Sequence, residues 1–152
     1  MQLSTHFSLA ELTKSQVATR LGINNDPDDA AIEALATLSK NILEPCRKMF
    51  GIPFSPSSGF RSADLCEAIG SKATSQHAYG EAADFEIPTV SNRDLATYIS
   101  EHLDFDQLIL EHYVDGQPNS GWVHCSISMM GDGRREILTY DRVNGYRLGL
   151  AD

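Results

Sequence analysis

The chain has 152 residues, 41% apolar and 22% charged, which suits one globular domain with its own core and is short for two. Its 12 basic residues stand against 21 acidic ones, giving a net charge of −9 and a pI near 4.9. That balance excludes a basic surface for nucleic-acid phosphates and gives no attraction to an anionic membrane.

The first twenty residues, MQLSTHFSLAELTKSQVATR, lack a basic segment followed by an apolar run, so synthesis in the cytoplasm without a signal peptide is expected. No stretch approaches the ~18 apolar residues of a membrane span. Cys46, Cys66 and Cys125 are odd in number and widely spaced, which predicts reduced, buried thiols rather than a disulfide framework.

In chain order, Ser8 and Glu11 form a capping box that opens a short helix near residue 9. The turn-rich LGINNDPDD supplies Asp26 as a cap and Pro27 as a first helical residue. Ile32, Leu35, Leu38, Ile42, Cys46, Met49 and Phe50 then recur at helical spacing, predicting one helix over 28–50. Pro45 should kink it or end it early, and Gly51 marks its stop. An extended stretch leads to Arg61, a short helix covers 62–69, and 72–80 reads as a loop.

EAADFEI (81–87) alternates, with Ala83, Phe85 and Ile87 toward the core and Ala82, Asp84 and Glu86 away from it. Ser91 and Asp94 open a helix running to about Leu103. QLILEHY (107–113) and WVHCSIS (122–128) are further strands, the second with Val123, Cys125 and Ile127 inward and His124, Ser126 and Ser128 outward. EILTY adds one more strand, and Asn144-Gly145 marks a late turn or hairpin. Helices first and strands later predict an α+β fold, with helices on one face of a small antiparallel sheet, in a single domain over 1–152.

The densest chemistry lies in Ser75-Gln76-His77-Ala-Tyr-Gly80-Glu-Ala-Ala-Asp84. A histidine in a loop precedes by seven residues an aspartate on the outward face of a strand, and His124 projects from the outward face of another. Two imidazoles and a carboxylate, with a fourth position open, match a catalytic zinc, which lowers the pKa of its water to about 7. Cys125 alternates to the core face, away from His124, which argues against a thiol nucleophile.

These motifs, with Ser58-Gly-Phe-Arg61-Ser62, Phe105-Asp-Gln-Leu-Ile-Leu-Glu111 and Gly121-Trp122-Val-His124-Cys-Ser126, resemble the M15 family of zinc peptidases, most closely its D-alanyl-D-alanine carboxypeptidase-like branch of phages and bacteria. The resemblance is weakest after about residue 130. It implies the Hedgehog/DD-peptidase fold and one zinc per chain on His77, Asp84 and His124. It further implies hydrolysis of peptidoglycan stem peptides, by a monomer that acts on the cell wall as a phage or prophage lysin. Some members place the general base three residues before the last histidine, where this chain has Gly121; Glu111, in a D-Q-L-I-x-E context, takes that role instead. Arg61 matches an arginine that faces the active site and holds a substrate carbonyl or carboxylate. Ser75, Gln76 and Trp122 are candidate substrate contacts, the first two alternatively fixing the loop and the third alternatively packing. His112, one residue past Glu111, is sent by strand alternation to the opposite face as a structural or exposed residue; a bulge in the strand would instead bring it to the site as a supporting or substrate contact. The glycine at 121 leaves a second reading open, a catalytically weak zinc-containing module that binds peptidoglycan or serves as a phage structural component.

Overall fold

The computed structural model describes residues 1–150. Two short helices come first, α1 (Leu9–Thr13) and α2 (Gln16–Leu21). The Ser8 capping box forms as its sequence predicts. The second helix has no counterpart in the sequence reading; Ser15 caps it and Gly22 ends it in the left-handed conformation.

The long helical run differs from expectation in two places. Its N-cap is Asp28, whose side chain accepts from the Ala31 N–H, so α3 spans Asp29–Leu38 and both Asp26 and Pro27 lie outside it. Pro45 neither ends nor visibly interrupts the helix. The turn before it, Ser39–Leu43, widens to π geometry and hands over directly to α4 (Glu44–Phe50). A proline lacks the N–H an α-helix would use here, and one wider turn upstream accommodates it. Gly51 closes α4 with φ 68°.

A short helix, α5 (Ala63–Ala68), follows the extended 57–61 stretch. The expected loop at 72–80 contains a 3₁₀ helix over Gln76–Tyr79. The strands are β1 (Ala82–Phe85), β2 (Gln107–Glu111), β3 (Trp122–Ser126), β4 (Glu136–Asp141) and β5 (Gly145–Leu148), with α6 (Asn92–His102) between β1 and β2. They form one sheet in the order β1-β3-β2-β4-β5. The sheet is mostly antiparallel, as expected, but β2 and β4 run parallel. No helix among the described residues is long and apolar enough to cross a membrane.

Alternation assigns the two faces. Phe85, Val123, Cys125, Leu108 and Leu110 join Leu35, Leu38, Ile42, Leu95 and Ile99 in a core between sheet and helices. All three cysteines are free and buried, and burial pushes the Cys46 thiol up to about 12 and Cys125 well above its usual range, so neither thiol is a nucleophile at neutral pH. The opposite face of β1, β3 and β2 carries Asp84, Glu111, Trp122 and His124.

Candidate metal centre

Register brings the candidate ligands together. Asp84 on β1 lies directly opposite His124 on β3, and Glu111 on β2 lies opposite Trp122, two residues along from His124 on the same face. His77 arrives from the 3₁₀ turn, which Ser75 caps by accepting from the His77 N–H. Gly80 then reverses the chain with φ 74°; a Cβ there would sit 2.5 Å from the Ala31 carbonyl oxygen, so the turn needs glycine both for its backbone and for its contact with α3. This is the physical content of the S-x-H-x-x-G-x-A-x-D motif: the glycine lets the histidine turn pack on α3 while the strand behind it delivers the aspartate.

Ligand atoms of His77, Asp84 and His124 all lie within 4.8 Å of one another. Asp84 Oδ1 is 2.9 Å from His124 Nδ1 and 3.5 Å from His77 Nε2. His77 Nδ1 lies 2.7 Å from the Gly59 carbonyl oxygen, which can only accept. An Nδ1–H therefore donates to it, and Nε2, which faces Asp84, is the nitrogen left for a metal once it carries no proton. Burial alone would push the Asp84 carboxyl up, but hydrogen bonds and charge from His124 and His77 outweigh it and hold the group well below the usual carboxylate range. An ionised carboxylate and two imidazoles, one with its tautomer pinned, are the donor set a zinc ion takes, and the residues fit the metal.

Arg61 braces the same carboxylate from the other side. Its Nη2 donates to Asp84 Oδ2 at 3.1 Å and its Nε to Ser58 Oγ at 2.8 Å. Its backbone N–H donates to the His77 carbonyl, and Asp84 N–H to that of Ser58, so the 57–61 segment stitches both ligands to one extended strand.

Glu111 is half-buried at the end of β2. Burial and the nearby Asp84 charge raise its pKa, against smaller opposing effects from His124, Trp122 and Arg61. A carboxyl with raised proton affinity beside the ligands is suited to taking a proton and giving it back.

Gly121 accounts for the missing acid three residues before His124. Its φ is +69°, and a Cβ would lie 2.0 Å from the Glu111 carbonyl oxygen and under 3 Å from the His112–Tyr113 backbone. No side chain fits there. Asn92, which the sequence reading passed over, fixes this turn by donating to the Ser120 and Gly121 carbonyls at 2.9 and 3.1 Å.

Beyond Glu111 the strand breaks. His112 takes φ 54°, so simple alternation fails and its ring packs at 5.0 Å from Trp122 and 5.3 Å from Tyr140. The expectation that it faces away is therefore corrected. The β4–β5 hairpin sets Tyr146 against Tyr140 at 4.5 Å with tilted rings, and burial, then the Glu111 charge, raises the Tyr146 phenol. Trp122 shares the ligand face, and its buried indole N–H helps pull the Glu111 carboxyl back toward its ionised form. The only hint of the two tyrosines in the sequence is the Asn144-Gly145 turn, which sets them opposite each other in register.

Gln76 ties the histidine turn to the sheet. Its amide donates to Asp106 Oδ2 and to the Ile127 carbonyl, at 3.0 and 3.2 Å. Asp106, only 5% exposed, also takes the Arg134 backbone N–H and its guanidinium, pinning the 127–135 crossing to β4. Because the Arg134 side chain is 57% exposed, most of this stabilisation resides in the hydrogen bonds to the buried carboxylate. Asp106→Ala is expected to cost about 2 kcal/mol in chemical denaturation at pH 7. The Arg134 hydrogen bonds lower the Asp106 pKa below its ordinary 3.8. Its contribution is thus complete above that value and is lost as pH falls through the folded-state value, so the gap between wild type and variant should close in acid.

No curated protein matches the chain. The family model described as Peptidase M15 matches residues 5–126, a span that holds Arg61, all three ligands and Glu111 and stops before the β4–β5 hairpin. The chain therefore belongs to the M15 peptidases, a family of zinc-dependent hydrolases, and the His77, Asp84 and His124 cluster is its candidate metal site.

Proposed function

We propose that the protein is a zinc peptidase that hydrolyses peptide bonds in peptidoglycan stem peptides, as a D,D-carboxypeptidase or an endopeptidase of the lysin type acting on the cell wall. The observation that carries the chemistry is one buried aspartate oxygen lying 2.9 Å from a ring nitrogen of His124 and 3.5 Å from one of His77, with the Glu111 carboxyl on the strand next to that of His124. The substrate class rests on the resemblance to the D-alanyl-D-alanine carboxypeptidase-like branch.

His77, Asp84 and His124 would hold a zinc ion, which when bound would supply Lewis acidity toward the carbonyl and toward water. The chain's own residues do the remainder. Gly59 fixes the His77 tautomer. Glu111 receives a proton from the attacking water and delivers it to the leaving amine. Arg61 holds Asp84 with one Nη, and its other amino group is the donor for a substrate carbonyl or carboxylate. Trp122, on the same face as Glu111 and packed against His112, which in turn packs on Tyr140, is the aromatic surface offered to a substrate beside Glu111.

Metal analysis tests the site directly. Protein purified without added metal is expected to carry about one zinc per chain, and Asp84→Ala to carry none while remaining folded by circular dichroism. Full zinc in that variant would refute this ligand assignment.

A further inference from the structure

Beside the metal site lies an open groove of about 940 Å³ between α2, the 57–61 segment and α5. It begins at Ser58 and Arg61, the residues that touch Asp84, and reaches Lys14 and Arg20. Its lining includes three cations and no carboxylate. Arg61 is already paired with Asp84, so Lys14 and Arg20 carry the groove's positive charge in a chain with a net charge of −9. Arg20 is exposed and makes no ion pair among the described residues. Lys14 bonds only a neutral hydroxyl, Ser55 Oγ at 3.0 Å, which in turn donates to Glu11. The fold's own stability does not require these two charges at this place, since neither satisfies a buried group.

We infer that this groove is the substrate's binding channel and that it selects peptides carrying free carboxylates, with Lys14 and Arg20 holding a carboxylate remote from the scissile bond and Arg61 at the end nearest the metal. The inference rests on the proposed peptidase reading and names what that site accepts. A cleft lined by one sign of charge concentrates the oppositely charged ligand, and the attraction weakens as salt screens it. Stem peptides bear several carboxylates, so they match the groove in charge as well as in backbone chemistry. Apolar lining from Phe60, Leu65 and Ile69 gives the short side chains of such a peptide a floor.

The test compares wild type, the double variant Lys14→Glu/Arg20→Glu and a control, Lys40→Glu/Lys48→Glu, with the same change of net charge outside the groove. The probes are a synthetic stem pentapeptide with free carboxylates and the same peptide fully amidated. Each protein is assayed for hydrolysis and, by calorimetric titration, for binding to Glu111→Gln forms of the same three chains. The groove variant should raise KM for the free-carboxylate peptide about tenfold at low salt, with the loss on KM rather than kcat. Binding should weaken by the same factor, and the effect should shrink at high salt and vanish on the amidated peptide. The control should match wild type. An unchanged KM and affinity in the groove variant, or an equal loss in the control, would overturn the inference. If wild type hydrolyses neither peptide the peptidase reading fails, and the titration still decides the groove: affinity lost only in the groove variant supports it, and affinity retained refutes it.

Discussion

Glu111→Gln should lower turnover by about 10³-fold or more while the zinc content stays at the wild-type level. The substitution keeps the shape of the side chain and removes its ability to accept a proton. Glu111 makes no hydrogen bond to any of the three ligand residues, so the metal has no reason to leave. Its position is set by the β2–β3 register, which places it opposite Trp122 and beside His124. Paired kinetic and metal measurements on the variant check this. Loss of zinc together with activity would mean that Glu111 supports the metal instead, and full activity would move the proton transfer to another group.

The second large effect belongs to Gly121. Gly121→Ala is expected to destabilise the protein by about 2–4 kcal/mol in denaturant unfolding. Two costs add. A residue with a Cβ is strained at φ +69°, and that Cβ would meet the Glu111 carbonyl oxygen at 2.0 Å, where the obstacle is backbone and cannot swing aside. The same geometry forecasts that Gly121→Glu fails to restore activity to Glu111→Gln, even though it recreates the spacing used by some M15 enzymes. The glycine here is the mark of a different local backbone, in which the chain after Glu111 turns across Gly121 and brings the acid in from the neighbouring strand. A stable Gly121→Glu protein that rescues Glu111→Gln would contradict that account.

The His77, Asp84 and His124 cluster was legible in the chain because each of the three reports through a short-range pattern. His77 and Asp84 share one motif with the glycine their turn requires, and alternation set His124 and Asp84 on the same kind of face. Glu111 was legible only as a position in a motif; its environment depends on which strands neighbour β2. His112 was misplaced because alternation assumes a regular strand, and its φ of 54° breaks that rule. Helix α2 was missed because six residues carry too little periodicity to register. Pro45 was read by its local rule, and the π turn at 39–43 that accommodates it depends on a helix held in place by buried Ile42, Leu43 and Cys46. The parallel β2–β4 pair depends on a crossing fixed by Asp106 and Arg134, two residues whose partnership spans 28 positions and leaves no local trace.

The central claim is that a zinc ion on His77, Asp84 and His124 hydrolyses peptide bonds of peptidoglycan. Mass spectrometry of stem-peptide fragments after digestion, with and without a chelator, tests it most directly. The account predicts new fragments that differ by cleavage of one defined peptide bond, absent with the chelator and restored by added zinc. Fragments that persist with the metal removed, or intact stem peptides from protein that carries its full zinc, would contradict it.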